Sequence, residues 1–129
     1  MKKSLTNGLT HIALIVKNVD TSNAFYKEVF DAKTMYRNEG FGQIQTVGSD
    51  DIIVFEEDKK KSALIGKTGG LLHFGFRLRK PGDLDNIVDR VVKAGGIIID
   101  KGEFCPGEPY VFFKDPDGYE VEVWYELES

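Results

Sequence analysis

Alternating stretches of apolar and polar residues predict a strand, a helix and three more strands in the first half of the chain. Leu9–Val16 is a short, nearly continuous apolar run, which is typical of a buried strand. A helical pattern follows at Thr21–Asp31, with Asp20 or Thr21 as its N-cap. Three further strands are predicted between glycine-containing turns, at Lys33–Asn38, Gln43–Val47 and Ile52–Glu56.

The second half repeats this order of elements after a charged, glycine-rich linker. Leu71–Leu78 predicts a strand, and Asp83–Ala94 predicts a helix with a regular apolar stripe. Three more strands are predicted at Ile97–Ile99, Tyr110–Lys114 and Tyr119–Tyr125. We therefore expect an α+β fold in a single domain. It would consist of two tandem βαβββ modules, at about residues 8–57 and 70–126, with mostly antiparallel pairing inside each module.

Composition narrows the function classes. A chain of 129 residues is long enough for one domain with a sizeable core. Its 17 basic and 21 acidic residues give a net charge of −4, which disfavours a nucleic-acid partner because phosphates require a basic surface. The single cysteine, Cys105, fits a reducing compartment, and neither a signal peptide nor a membrane-spanning apolar run is recognisable. We therefore expect a soluble cytoplasmic protein without a membrane partner.

Two histidines occupy equivalent positions in the two modules. His11 opens the apolar run of the first predicted strand, and His73 opens the corresponding run of the second module. Successive strand residues point to opposite faces, so each histidine lies off the apolar face that we assign to the core. Each is followed two positions later by a small residue, Ala13 or Gly75, which leaves room for a ligand.

The last predicted strand adds a carboxylate. Val121 and Val123 lie on one of its faces, whereas Glu120, Glu122 and Trp124 lie on the other. Two imidazoles and the carboxylate of Glu122 form a donor set that suits a divalent ion with open positions for water or substrate. The alternative is that both histidines are structural and that the glutamates are ordinary exposed strand residues.

The turn Asp115-Pro-Asp-Gly118 is the first of several features that resemble a known protein family. With Tyr119-Glu-Val-Glu122 after it and the two histidine-containing modules before it, the chain from about residue 8 to 126 resembles the vicinal oxygen chelate superfamily. This superfamily includes glyoxalases, bleomycin- and fosfomycin-resistance proteins and extradiol dioxygenases. The resemblance implies that the two modules form a curled mixed sheet with a cleft, in which His11, His73 and Glu122 hold a divalent metal.

The resemblance also implies the partners. It suggests a homodimer, in which the metal ligands come from one chain or from both subunits. The substrate would be a small molecule whose neighbouring oxygens bind the ion, which acts as a Lewis acid. Zn²⁺, Ni²⁺, Mn²⁺ and Fe²⁺ suit this donor set about equally well.

Individual branches of the superfamily match less well. Glyoxalase I carries a fourth, acidic ligand where the internal repeat places Val54, although Glu56 lies two residues on and shares its face. Extradiol dioxygenases carry a tyrosine where this chain has Phe112, and a further histidine that it lacks. Fosfomycin-modifying members usually have basic residues after the last strand, where residues 126–129 read Glu-Leu-Glu-Ser. The reaction therefore stays open between lyase, isomerase and transferase chemistry.

Further residues are candidates for the same cleft. The candidate catalytic residues are Glu120 and Glu56 as general bases and Tyr119 as a hydroxyl donor, and the candidate substrate-binding residues are Arg77, Trp124 and Phe104. A surface salt bridge is the alternative role of Arg77. The second functional hypothesis is a metal-free protein that binds and sequesters a drug, antibiotic or other small molecule in this cleft.

The segment Glu103–Pro109 predicts a rim loop or lid over the cleft. It contains Cys105, which has no recognisable activating base nearby in the sequence. We therefore expect a packed, unreactive thiol at this position.

Overall fold

The computed structural model describes residues 2–127. The first module contains all five predicted elements: β1 (Ile12–Val16), α1 (Val19–Phe30), β2 (Ala32–Asn38), β3 (Phe41–Thr46) and β4 (Ile53–Glu57). The predicted N-cap of α1 was wrong. Asn18 caps the helix instead, because its extended backbone lets its side-chain oxygen accept a hydrogen bond from the Thr21 amide at 2.9 Å.

The second module follows a short helix, α2 (Lys59–Ser62), and repeats the order. Its elements are β5 (Phe74–Arg77), a 3-10 turn (Pro81–Asp83), α3 (Leu84–Lys93), β6 (Ile97–Glu103), β7 (Pro109–Lys114) and β8 (Glu120–Trp124). The strand predicted at Ile97–Ile99 is longer than expected, because it pairs with β7 as far as Glu103. No helix within residues 2–127 is both long and apolar enough to cross a membrane.

Each module forms its own four-stranded mixed sheet. The strand orders are β1-β4-β3-β2 and β5-β8-β7-β6. The first and last strands of each module pair in parallel, and the other neighbours pair antiparallel. The register is equivalent in both, since Ala13 lies opposite Val54 and Gly75 lies opposite Glu122. The predicted α+β fold of two βαβββ modules is confirmed.

Aromatic side chains of α1 join the two modules in one core. The Tyr26 ring lies 5.6 Å from the ring of Phe55 in the first sheet, and Phe30 stacks at 3.7 Å on Phe76 in the second. Val121 and Val123 of β8 face this core and are 0% and 1% exposed. The core therefore occupies one face of each sheet, which leaves the opposite faces available for a ligand.

The turn at residues 115–118 also connects the modules. Asp115 Oδ2 accepts a hydrogen bond from the Tyr26 hydroxyl at 2.8 Å, and its Oδ1 accepts from the Asp117 and Tyr119 amides. Asp117 in turn accepts from the Lys17 amide at 2.7 Å. Burial raises the pKa of Asp115 to about 6, although the hydrogen bond from Tyr26 opposes the shift. This motif of the sequence thus has a structural role between the end of β1 and the start of β8.

Candidate metal centre

The face of the second sheet that points away from the core contains two of the three predicted metal ligands. Glu122 is half-buried there, on the same face of β8 as Glu120 and Trp124. His73 directly precedes β5, the strand that pairs with β8. The predicted division of β8 into a buried core face and an opposite, partly exposed face is therefore confirmed.

Gly75 makes room for the Glu122 carboxylate. The two residues are register partners, and a Cβ atom added to Gly75 would lie only 3.2 Å from Glu122 Oε1. His73 lies two residues before Gly75 on the same face, and its ring is 5.1 Å from that of Phe112. Phe112 is the register partner of Glu122 on the other side. The imidazole directly before β5 and the carboxylate on the neighbouring strand β8 thus both lie next to Phe112.

Within residues 2–127, Glu122 forms neither an ion pair nor a side-chain hydrogen bond. The Glu122 carboxylate therefore keeps its acceptor oxygens available for a cation or a hydrogen-bond donor. Imidazole and carboxylate are donors that first-row divalent ions accept. The residues present on this face therefore fit a divalent ion.

His11 belongs to the other sheet. It is exposed and directly precedes β1, and the position of the first module that corresponds to Glu122 is taken by the buried Val54. In the described part of one chain, no three histidine, cysteine, aspartate or glutamate side chains lie close enough together to hold a metal. The described part of one chain therefore does not bring His11 together with His73 and Glu122 as a set of three metal ligands.

The predicted substrate-binding residues have different surroundings. The exposed Arg77 forms an ion pair with Glu126, with 3.3 Å between its Nη2 and the carboxylate, which is the simpler of its two expected roles. Phe104 and Trp124 come together, since their ring centres are 5.9 Å apart in an edge-to-face arrangement. The structure thus assembles the two aromatic candidates but leaves Arg77 occupied at the surface.

The three predicted catalytic residues do not form a cluster. Glu120 is half-buried on the Glu122 face, and Glu56 is exposed at the end of β4 in the other sheet. The Tyr119 hydroxyl donates a hydrogen bond to the Ile15 carbonyl oxygen at 2.8 Å. Burial and the carboxylate of Asp115 raise the pKa of Tyr119. Of the three, Glu120 shares a strand face with the proposed ligand Glu122.

The loop between β6 and β7 differs from expectation at Cys105. The thiol is exposed, not packed, and within the loop the Glu108 amide donates a hydrogen bond to the Cys105 carbonyl oxygen. Desolvation and the nearby carboxylates of Glu108 and Glu103 raise the pKa of the thiol. A thiol with a raised pKa carries little thiolate at neutral pH.

Two polar contacts were missed in the sequence. Tyr26 lies inside the predicted first helix but was not identified as a core residue, yet it is fully buried and its hydroxyl donates a hydrogen bond to Asp115. Asp100 lies beyond the predicted end of β6, and it accepts a hydrogen bond from the Tyr110 hydroxyl at 3.0 Å. Because Tyr26 follows the core residue Phe25 in the predicted helix, its burial could have been considered from the sequence. The contact between Tyr110 and Asp100 follows only from the register of β6 and β7.

Comparisons with known proteins agree with this geometry. Residues 8–123 match the model of the Glyoxalase/Bleomycin resistance protein/Dioxygenase superfamily. Metallothiol transferase FosB from Shouchella clausii (strain KSM-K16) is 25% identical over 121 residues, which are 92% of this chain and 80% of that protein.

Solved structures show the same fold. The fosfomycin resistance protein FosX from Listeria monocytogenes, complexed with Mn(II) and 1S,2S-dihydroxypropylphosphonic acid, superposes with a TM-score of 0.78. It is 21% identical, and the match covers 95% of this chain and 93% of that one. A glyoxylase/bleomycin resistance protein/dioxygenase domain from Frankia sp. EAN1pec is 26% identical, with a TM-score of 0.77 and coverages of 96% and 100%.

The chain is similar in fold to FosX, but residues 126–129 do not have the basic residues that are usual after the last strand in fosfomycin-modifying members. Residues 128 and 129 lie outside the described residues. Within the described part, Glu126 is acidic and pairs with Arg77, so the departure from the fosfomycin-modifying branch remains there. The match over residues 8–123 nevertheless spans most of both modules. This chain belongs to the glyoxalase/bleomycin resistance protein/dioxygenase superfamily.

Proposed function

We propose that this protein is a divalent-metal-dependent lyase, isomerase or transferase that acts on a small molecule with two neighbouring oxygens. His11, His73 and Glu122 are the proposed ligands. The observation that carries the proposal is the Glu122 carboxylate, which is accommodated by Gly75 and has no polar partner in residues 2–127. The names of two similar proteins, a metallothiol transferase and a FosX complexed with Mn(II), support it.

A homodimer would complete the site. β1 and β5 are edge strands of their sheets, and His11 and His73 directly precede them. The first sheet of one copy, placed beside the second sheet of another, would bring the two histidines together. Exposed leucines flank both positions, with Leu9 at 91% and Leu72 at 78% exposure. A dimer contact would remove this apolar surface from water.

The chain's own residues suit proton transfer beside such an ion. When bound, a divalent ion supplies Lewis-acid stabilisation of an enolate or oxyanion, or activates a nucleophile. Glu120 lies two residues from Glu122 on the same strand face, about 7 Å away along the strand, and serves as the general base in this proposal. Glu56 is the alternative base from the first sheet. Tyr119 keeps its hydroxyl on the Ile15 carbonyl and holds the start of β8 in place.

Metal content of purified variants tests this proposal. The wild-type protein, prepared without an affinity tag or chelator, is expected to hold about one divalent ion per proposed site, because each site has one set of three ligands. We expect His73→Ala and Glu122→Ala to lose the ion, measured by elemental analysis and by uptake of added Zn²⁺, Ni²⁺, Mn²⁺ and Fe²⁺. Glu120→Ala is the matched control and should retain it.

Two results would contradict the metal site. One is a Glu122→Ala variant that holds as much metal as the wild type. The other is a wild-type protein that takes up none of the four ions. The second result would favour the metal-free small-molecule-binding protein, for which the paired rings of Phe104 and Trp124 supply a binding surface. Ligand binding unchanged by a chelator would then be expected.

A further inference from the structure

A cavity of about 920 Å³ lies beside the linker that joins the two modules. Its volume is within the range of sites that bind small organic molecules. None of the three proposed metal ligands lines it. The residues that line it come from α2, the linker and the ends of three strands: Lys61, residues 64–72, Ile15, Lys114 and residues 118–120.

Three lysines give this cavity an excess of positive charge. Lys61 belongs to α2, Lys67 to the linker and Lys114 to the end of β7. Within residues 2–127, none of the three forms an ion pair with a carboxylate. Glu120, the register partner of Lys114, has the only carboxylate among the described lining residues. Cations therefore outnumber anions here, although the whole chain has a net charge of −4, and a bound anion would reduce their mutual repulsion.

The backbone of the linker adds neutral hydrogen-bond donors. Gly66, Gly69 and Gly70 have φ angles of 78°, 74° and 102°, a region that residues with a side chain rarely adopt. The amides of residue 66 and of residues 68–70 donate no hydrogen bond to any group within residues 2–127. Free N–H groups in glycine-rich turns are typical of phosphate sites, because such a backbone can approach an anion closely.

Part of the cavity lining is apolar. Leu64 and Leu71 line the cavity together with Ile15 and Ile65, and the two leucines are 51% and 52% exposed. An inorganic anion would leave these side chains in water, whereas an apolar group attached to the anion would cover them. The lining therefore fits a ligand that has both an anionic and an apolar part.

We propose that this cavity is a second binding site, separate from the metal ligands, for a small phosphate monoester with an apolar body. The ammonium groups of Lys61, Lys67 and Lys114 bind the phosphate group as point charges. A phosphate monoester carries close to two negative charges at neutral pH, so it balances the excess of lysines better than a carboxylate does. No metal takes part in this binding, so the inference does not rest on the proposed function.

Calorimetric titration with three probes tests the ligand class. The probes are phenyl phosphate, inorganic phosphate and benzoate, each added to the full chain at low ionic strength, with and without a chelator. We expect phenyl phosphate to bind at least about fivefold more tightly than either of the others, because only phenyl phosphate combines two negative charges with an apolar ring. Added salt should weaken its binding.

Lysine variants locate the binding site. Lys61→Ala, Lys67→Ala and Lys114→Ala should each weaken phenyl phosphate binding about three- to tenfold, whereas Lys67→Arg should retain most of the affinity. Lys60→Ala is the matched control, because it removes the same charge from α2 at an exposed residue that does not line the cavity. Thermal denaturation checks that each variant is folded. Equal weakening by Lys60→Ala and Lys61→Ala would reveal non-specific attraction and overturn the site.

Glu122→Ala separates this site from the proposed metal centre. Phenyl phosphate should bind this variant, and the wild type with chelator, as tightly as it binds the untreated wild type. Loss of binding in either case would place the phosphate on the metal, which would overturn the second site and support the proposed function. Lysine-dependent binding to a wild type that takes up no metal would support the second site and contradict the proposed function. Equal or tighter binding of benzoate or inorganic phosphate would overturn the ligand class, and so would binding of none of the probes.

Discussion

At the scale of single residues, Asp115 shows how one buried carboxyl group can link two modules at an energetic cost. It is 6% exposed and accepts hydrogen bonds from a side chain of α1 and from two amides of its own turn. Burial still raises its pKa to about 6. The folded protein therefore binds a proton on Asp115 at a pH at which the unfolded chain, with a carboxyl pKa of about 3.9, has released it.

Replacement of the Asp115 carboxyl group should make the free energy of unfolding less dependent on pH. The contribution of Asp115 to the free energy of unfolding is fully present below about pH 4 and is lost as the pH rises through about 6, by roughly 3 kcal/mol in total. Asp115→Asn does not ionise, so we expect it to gain stability relative to the wild type by up to that amount between pH 4 and pH 7. Urea denaturation of both proteins across this range measures the difference.

Tyr26→Phe is a second variant for the same measurement. It removes the hydrogen bond that stabilises the charged form, so the loss of stability should occur at a higher pH than in the wild type. A constant difference in unfolding free energy between the wild type and Asp115→Asn across the range would show that Asp115 titrates normally.

At the scale of elements, the parallel pairing of β5 with β8 positions the proposed ligands. A strand places alternate residues on one face, and the register aligns Gly75 with Glu122. The equivalent pair in the first module is Ala13 and Val54. The same backbone arrangement therefore exists twice, but only the second copy pairs an empty position with a carboxylate.

Gly75→Ala tests whether this empty position matters for the metal. The added Cβ atom would lie 3.2 Å from Glu122 Oε1 and 3.3 Å from the Glu122 carbonyl oxygen, so the carboxylate must shift. We expect metal affinity to fall by about tenfold, as for other changes that reorient a ligand. Competition with a metal indicator dye gives the affinity.

Gly82→Ala is the matched control, because a Cβ atom there meets nothing within 4 Å. Both variants should melt within a few degrees of the wild type. An unchanged affinity in a folded Gly75→Ala protein would mean that Glu122 does not bind the metal from its present position.

At the scale of the whole molecule, the two sheets of one chain share a core but do not bring His11 to His73 and Glu122. Side chains of α1 pack against one face of each sheet and so connect the two sheets in one core. Among residues 2–127, however, no three potential metal ligands lie close together. The proposed site therefore depends on how two copies associate. This dependence makes the site testable by mixing defective chains.

Chains with His11→Ala and chains with Glu122→Ala should each fail to bind metal alone. After joint unfolding and refolding, half of the dimers are mixed, and each of these has one intact site and one doubly defective site. About a quarter of all sites should then bind metal. Elemental analysis of the refolded mixture, against each variant refolded alone, measures this fraction. No recovery in a mixture shown to contain mixed dimers would rule out a site shared between subunits.

Local sequence pattern was sufficient for the five elements of each module, though not for all their ends, and for the two faces of β8. The alternation of valines with Glu120, Glu122 and Trp124 identified the two faces of β8, because side-chain direction along a strand depends only on the backbone period. The internal repeat likewise aligned Val54 with Glu122, and the paired registers confirm that alignment.

Contacts between distant residues were not predictable in this way. The sequence by itself determined the two modules and which side chains share a face, since both follow from the local geometry of strands and helices. Only the tertiary structure decided that Tyr26 binds Asp115, that Arg77 pairs with Glu126, and that Phe104 lies on Tyr110. It also decided that, within residues 2–127, His11, His73 and Glu122 do not form one group of three, because the packing of one sheet relative to another depends on a shared core that no single stretch of the chain encodes.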